Sequence, residues 1–375
     1  MTGWLVLAAV GAAIPVVAWI GYPWLMIGLG ERRPVAVVPP GAPTSIVSVV
    51  IATREPPAAV RARLEDLVSG SWPADRLELI VAVDGDPAPY HFEDLSPAPG
   101  RLAVVSNGDE PGKATALNAG VAAATGDLVV FADTAQRFAP DAIPWLVEAL
   151  GDPRFGAISG ALELGNKAGS VSPIVWYWRL EKRLRAAEAR VHSTIGVTGA
   201  VYAMRRTLWA PLPPGLILDD LWIPMRLVLA GHRVGFEPRA VASDIRTTTA
   251  AQEYQRKVRT LTGNLQLVAW MPAALRPLRN PVWLQFVCHK LLRLATPFAI
   301  LTCLVGVTGA TFAKSVVLGS VWLGTGIVAV LMVGVLPGAA GRRARSALGW
   351  VVAMQGAIVM ASWNGACRRW NVWNQ

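Results

Sequence analysis

The apolar positions of this chain fall into two regimes. Long unbroken runs occupy residues 4–29, 294–313, 315–336 and 346–363. The first three carry no charge, and the fourth has only Gln355 as a strongly polar member. A helix rises about 1.5 Å per residue, so roughly 20 apolar residues cross the hydrocarbon of a bilayer. The pattern therefore predicts four transmembrane helices, one before and three after a polar region. The first run lacks a basic start and exceeds the apolar core of a cleaved signal peptide. It reads as a retained anchor in which Pro15 permits a kink.

Between the runs, short apolar segments alternate with helical patterns. Residues 45–53, 77–84, 102–106 and 128–133 read as buried strands, and 56–69, 114–124 and 139–150 as helices. Such alternation predicts an α/β domain with a largely parallel, Rossmann-like sheet and helices on both faces. Asp84 and Asp133 end two of the strands. That is the edge where doubly wound sheets hold ligands. The expected organisation is an anchor at 1–30, a proline-rich linker at 31–44, the α/β domain at 45–269, an interfacial amphipathic segment at 270–293 and three spans with a tail at 294–375. The interfacial expectation rests on Trp283, Phe286 and Lys290, which recur at near-helical spacing.

Composition sharpens this picture. A hydrophobic share of 53% fits membrane spans, and a net charge of +10 suits a lipid surface or a phosphate-bearing substrate. No nucleic-acid module is recognisable, so nucleic acid is not an expected partner. Cys288, Cys303 and Cys367 have no metal-site or disulfide spacing. Basic clusters at Arg32–Arg33, His289–Lys290–Arg293 and Arg342–Arg343–Arg345 fall on one side of a four-span arrangement, which makes that side cytoplasmic. The polar domain is then inside the cell membrane. Arg368 and Arg369 fall on the other side unless the last run re-enters without crossing. Trp4, Trp24, Trp283, Trp363 and Trp370 flank the spans, where indoles favour the interface. The late spans hold no ionisable residue that would mark an ion path, which argues against a transporter.

Several motifs bear on chemistry. "GDEPGKAT" resembles a phosphate loop, but Gly108 and Gly112 are too close and Ala114 replaces the magnesium-binding hydroxyl. No Gly-x-Gly-x-x-Gly follows the first strand. Asp219 and Asp220 open a helical stretch and read either as simple first-turn acids or as functional carboxylates. Arg256 and Arg259 would share a helix face with Lys257 between them, fit for a phosphate or for a basic surface. Two residues after Asp133 stands Ala135.

In order, "VVIATRE", "LIVAVDGD", "GKATALNAG", "GDLVVFAD", "TGAVYAMRR", "LDD…AGHRVGFEP" and "RKVRT" resemble a family-2 membrane glycosyltransferase of the polysaccharide-synthase kind, with the GT-A fold. The resemblance covers about residues 45–265. It implies a nucleotide-sugar donor, a glycan or lipid-linked acceptor, a lipid bilayer as partner, and Mg2+ or Mn2+ as cofactor. It implies that Asp84 recognises the base, that Thr53 and Glu55 line the same pocket, and that Lys113 lies near the nucleotide. Asp133 matches the first acid of the Asp-x-Asp metal motif. Asp220 matches the catalytic base, with Asp219 in place of the preceding Glu. Arg256 and Arg259 match the (Gln/Arg)-x-x-Arg-Trp motif. Two departures stand out. Ala135 replaces the second metal-binding acid, for which Gln136 would supply a neutral oxygen. Thr260 replaces the Trp that stacks on acceptor sugar. The resemblance thus implies inverting sugar transfer in cell-surface polysaccharide or glycolipid synthesis. Alternatives are transfer to a polyprenyl phosphate, or an inactive relative that binds nucleotide and scaffolds a synthase.

Overall fold

A computed structural model describes residues 1–33, 46–92, 94–164, 173–244 and 249–372. Most of the expected linker, from residue 34 on, lies outside them. The chain divides into a sheet unit (Met26–Thr247 with Gln266–Trp283) and a helical unit (Met1–Leu25, Thr248–Leu265 and Leu284–Gln375).

The sheet unit has eight strands: β1 (Val47–Thr53), β2 (Leu77–Val83), β3 (Arg101–Ser106), β4 (Leu128–Ala132), β5 (Arg137–Phe138), β6 (Phe155–Leu164), β7 (Val201–Arg205) and β8 (Arg233–Asp244). Their order is β3-β2-β1-β4-β7-β6-β8-β5. The first four are mutually parallel, as expected. Buried on both faces, β1, β2 and β4 read as near-continuous apolar runs. The other half is mixed, because β7 runs antiparallel to both β4 and β6, and β5 antiparallel to β8. The cause is local. Thr198 N–H bonds Ser159 Oγ at 2.8 Å, which holds the chain at the end of the sheet where β4 finishes. From there β7 can only run back, with Val201 beside Ala132. Apolar periodicity carries no strand direction, so the sequence pattern could not show this.

One face of the sheet is covered by helices Pro57–Val68 and Ala142–Leu150, whose Val60, Leu64, Ile143 and Leu146 join Val49, Ile51, Leu79 and Val81 in the main core. On the other face, Lys113–Ala123 lies close to the strands at Gly120. A Cβ there would stand 2.5 Å from Val50 Cγ1 and 3.1 Å from Ala82 Cβ. That close approach sets the position of the whole helix, and so of Lys113 in its first turn.

The helical unit contains helical segments from four stretches long and apolar enough to cross a membrane: Thr2–Glu31, Thr296–Lys314, Val316–Val335 and Gly341–Ala366. The first has a π-helical turn at Val17–Gly21, just after Pro15. It packs tightly on Thr296–Lys314, where a Cβ on Gly306 would lie 2.4 Å from Ala8 N. Small residues allow such contact in apolar surroundings. At the other end Trp19 Nε1 donates to Thr296 Oγ1 at 3.1 Å. Residues 283–294 are helical, with a second π-turn at Val287–Leu291. The first part of helix Ala250–Trp270 lies along the last apolar helix, where Asn364 Nδ2 donates to Thr262 Oγ1 at 3.4 Å and Leu265 packs on Gly365. Glu253 is the only acid in the helical unit's sequence. Acids and bases balance in the sheet unit, so the whole net charge of +10 falls among the helices.

Replacing Gly120 with Val should force the helix off the sheet. Overpacking of this kind costs about 1–3 kcal/mol. Thermal unfolding of the detergent-solubilised protein should show a lowered Tm, and a Tm equal to wild type would mean the helix lifts without penalty.

Candidate active site

The C-terminal edge of the parallel strands gathers the acids. Asp84 follows β2 and is held from three directions. Its Oδ1 accepts from Gly112 N and Asn107 Nδ2, each at 2.8 Å, and its Oδ2 pairs with Arg54 Nε at 2.6 Å. Burial opposes its charge, but the bonds from Gly112, Asn107 and Arg54 outweigh it and hold the carboxyl below its ordinary range. Asn107 also donates to Glu110 O at 2.7 Å and Thr115 Oγ1 at 3.0 Å, so one amide shapes the turn into the next helix. That turn needs Gly112, whose φ is 135°.

The next residue is Lys113. Its Nζ lies 3.1 Å from Asp133 Oδ1 and 3.7 Å from Asp219 Oδ2. Burial disfavours its charge, yet Asp133, Asp219 and Asp220 together hold the ammonium above its ordinary value. One cation thus draws in carboxylates from the end of β4 and from the helix Asp219–Leu229.

The two acids on that helix are not its cap. The N-cap is Leu218, which has no capping side chain. Pro224 explains how the helix start is tied down. It has no N–H to give the Asp220 carbonyl four residues back. That carbonyl instead accepts Val197 N–H at 2.8 Å. The bond brings residues 197–199 over the acid, and a Cβ on Gly199 would stand 3.5 Å from Asp220 Cβ. From the other side, buried Gln266 accepts from Ile217 N at 2.9 Å and donates to Gly215 O at 3.0 Å, which fixes the loop leading into Asp219.

Thr53 joins β1 to the loop after β4. Its Oγ1 accepts from Glu55 N at 2.9 Å and from Thr134 Oγ1 at 3.0 Å. Glu55 O accepts from Tyr90 Oη at 2.9 Å. Gln136 is buried, with Nε2 donating to Asp244 Oδ2 at 2.8 Å and Oε1 making no hydrogen bond. Beneath the same loop, fully buried Arg63 pairs with Asp66 and stacks 4.1 Å over the Phe138 ring. Arg256 and Arg259 lie on the part of helix Ala250–Trp270 that belongs to the helical unit. Thr260 Oγ1 turns back onto Arg256 O at 2.9 Å. A cavity of about 670 Å³ under residues 86–99 is lined by none of Asp84, Asp133, Asp219 or Asp220.

A divalent cation finds limited support from the side chains. Among the described residues no three His, Cys, Asp or Glu form a metal-holding group. Asp133 is the motif carboxylate that remains, and Gln136 Oε1 is an oxygen with no partner. Magnesium-type ions are often held by one or two carboxylates plus substrate phosphates and water. The residues therefore fit a cation held chiefly by a bound diphosphate.

So the sheet unit brings together Thr53, Asp84, Lys113, Asp133, Asp219 and Asp220, with Gln136 on the same loop as Asp133. Sequence reasoning missed Arg54, Asn107, Tyr202 and Asp244. Asn107 was within reach, since it directly follows β3 at the edge already singled out. Tyr202 lies within "TGAVYAMRR" and Asp244 at the end of β8, and nothing in either stretch marks those two side chains.

Residues 43–263 match the model of the family described as "Glycosyltransferase like family 2", and the chain belongs to that family. Among curated relatives it is 24% identical over 239 residues to a "Probable glycosyltransferase YdaM" of Bacillus subtilis, covering 59% of this chain and 56% of that one. It is 25% identical over 224 residues to an N-acetylglucosaminyltransferase of Sinorhizobium fredii, covering 55% and 54%. The chain thus spans about half the length of these relatives. Among solved structures, the mannosyltransferase PcManGT of Pyrobaculum calidifontis, in complex with GDP-Man and Mn2+, superposes with a TM-score of 0.70 at 21% identity, over 97% of this chain and 99% of that one. The chain has the same fold as that protein.

Because the folded-state pKa of Asp84 is depressed, its contribution to stability is present above the ordinary carboxylate range. It is lost as pH falls through the folded value. Asn107→Ala removes one of its donors. A hydrogen bond to a charged group is worth about 1.5–3 kcal/mol. Acid unfolding should begin at higher pH in this variant, followed by circular dichroism across a pH series. An unchanged profile would remove Asn107 from the site.

Proposed function

We propose that the protein is a membrane-bound, inverting glycosyltransferase that takes a nucleoside diphosphate-sugar on the cytoplasmic side of the cell membrane. The acceptor is a glycan or glycolipid. The observation that carries this reading is the meeting of Asp133, Asp219 and Asp220 around Lys113, one residue from the Asp84 anchor. The family membership, the GDP-Man held by the PcManGT neighbour and the N-acetylglucosaminyltransferases among the relatives support it. The four apolar helices and the concentration of positive charge among them support the membrane placement.

In this reading Asp84, Thr53 and Glu55 border the base. Asp220 takes the proton of the acceptor hydroxyl as its oxygen bonds to the anomeric carbon. The bond from that carbon to the phosphate oxygen breaks, and the electron pair leaves with the nucleoside diphosphate. Lys113 meets the negative charge of the departing diphosphate. A bound Mg2+ or Mn2+ would neutralise part of the same charge, with Asp133, and Gln136 in support, as its protein ligands. Asp219 keeps Lys113 in register beside Asp220.

Thr260 offers no aromatic face, and its hydroxyl is turned back into its own helix. That favours addition of a single sugar over processive polymerisation, which makes a polyprenyl phosphate the second acceptor to test. Such an acceptor arrives already deprotonated.

Asp220→Asn should lower turnover of a hydroxyl acceptor by about 10²–10⁴-fold while leaving donor affinity close to wild type, measured with radiolabelled nucleotide sugars. Normal turnover would take Asp220 out of the mechanism; a small loss with polyprenyl phosphate alone would select the second acceptor. Chelation should abolish transfer and manganese should restore it. Full activity in chelator would show that no metal is needed.

A further inference from the structure

Tyr202 is a buried phenol that this mechanism leaves unused. It lies in β7 directly across from Phe131 of β4. The two rings stack with centroids 4.5 Å apart and planes 10° apart, and Trp209 stacks on Phe131 at 5.5 Å. Opposed residues of an antiparallel pair share a face, and positions two apart along a strand do as well. Phe131, Tyr202 and the Asp133 position just past the strand therefore lie on one side of the sheet.

The Tyr202 side chain is fully buried, yet its hydroxyl makes no hydrogen bond. Such a group is unfavourable without a partner, and it needs an explanation. The charged groups around it are Asp219 and Asp220 from the start of their helix and Asp133 from the end of β4. Lys113, between Asp133 and Asp219, is the cation of the set. Burial first, then Asp219, Asp220 and Asp133, keep the phenol well above its ordinary value, so it remains a donor throughout the working range. The ring stack holds it rigidly, and only the O–H can turn.

Lys113 cannot serve the acids and a diphosphate equally. Its contact with Asp219 is the longer of the two, 3.7 Å against 3.1 Å. An incoming diphosphate competes for the ammonium and weakens the Asp219 contact first. We propose that Tyr202 is a positioning residue whose hydroxyl then donates to Asp219, holding that carboxylate in place beside Asp220. The inference rests on the reading of Asp220 as base and gives a role to a residue of "TGAVYAMRR" to which the resemblance assigned none.

The variant Tyr202→Phe removes the hydroxyl and keeps the ring. It should lower kcat about tenfold, as loss of a bond to a charged group does, and raise the donor KM, because the lost bond forms only in the nucleotide complex. The Tm of the ligand-free protein should not fall. In an Asp219→Asn background the same change should have no further effect on kcat. The rise in Tm produced by UDP or GDP with Mn2+ needs no turnover and should be smaller in Tyr202→Phe than in wild type. Wild-type kcat and donor KM with a lowered Tm would show a packing role and overturn the proposal. So would a nucleotide-induced Tm rise equal to wild type, or an undiminished effect in the Asp219→Asn background. Wild-type protein without turnover would sink the sugar-transfer reading instead, and the nucleotide-induced Tm rise would still decide on Tyr202.

Discussion

The ammonium of Lys113 is the counter-charge on which the site depends. Three neighbouring, partly buried carboxylates repel one another unless a cation stands among them. Lys113 draws them near each other, and they in turn keep it protonated. Its own position follows from backbone packing. Gly112 permits the turn, Gly120 lets the helix lie against β1 and β2, and Asn107 with Asp84 ties the turn to the strand ends. A change at any of these moves the cation and with it the acids.

The mixed half of the sheet serves the same end. Because β7 starts at the C-terminal edge and runs back, residues 197–199 come to rest over Asp220, and Tyr202 is delivered beneath the acids. A wholly parallel sheet would have brought β7 in from the far edge. Pro224 adds to this, since the carbonyl it leaves without a helical partner is the one Val197 binds. A residue that weakens the helix by one bond thereby ties a loop to the site.

Charge is divided as sharply as architecture. The sheet unit is balanced, while the helical unit carries one acid, Glu253, against the basic clusters at its helix ends. A basic helical unit is suited to an anionic lipid surface and, through Arg256 and Arg259, to phosphate.

The unbroken apolar runs were enough to place four long helices, because crossing hydrocarbon demands length and apolarity and nothing else competes for that pattern. The parallel strands were legible for a similar reason: burial on both faces leaves continuous Val, Ile and Leu runs in β1, β2 and β4. Strands of this kind also announced Asp84 and Asp133, since an acid that ends such a run must sit at the sheet's edge. What Asp219 and Asp220 do was undecided, because first-turn acids look alike in sequence whether they face solvent or a distant lysine. Tertiary contact places them beside a lysine 106 positions earlier than Asp219 in the chain. The direction of β7, the engagement of Asn107 and the buried hydroxyl of Tyr202 were likewise settled only by folding. Each is a relation between residues far apart along the chain, and local periodicity records which face a residue takes but not what waits there.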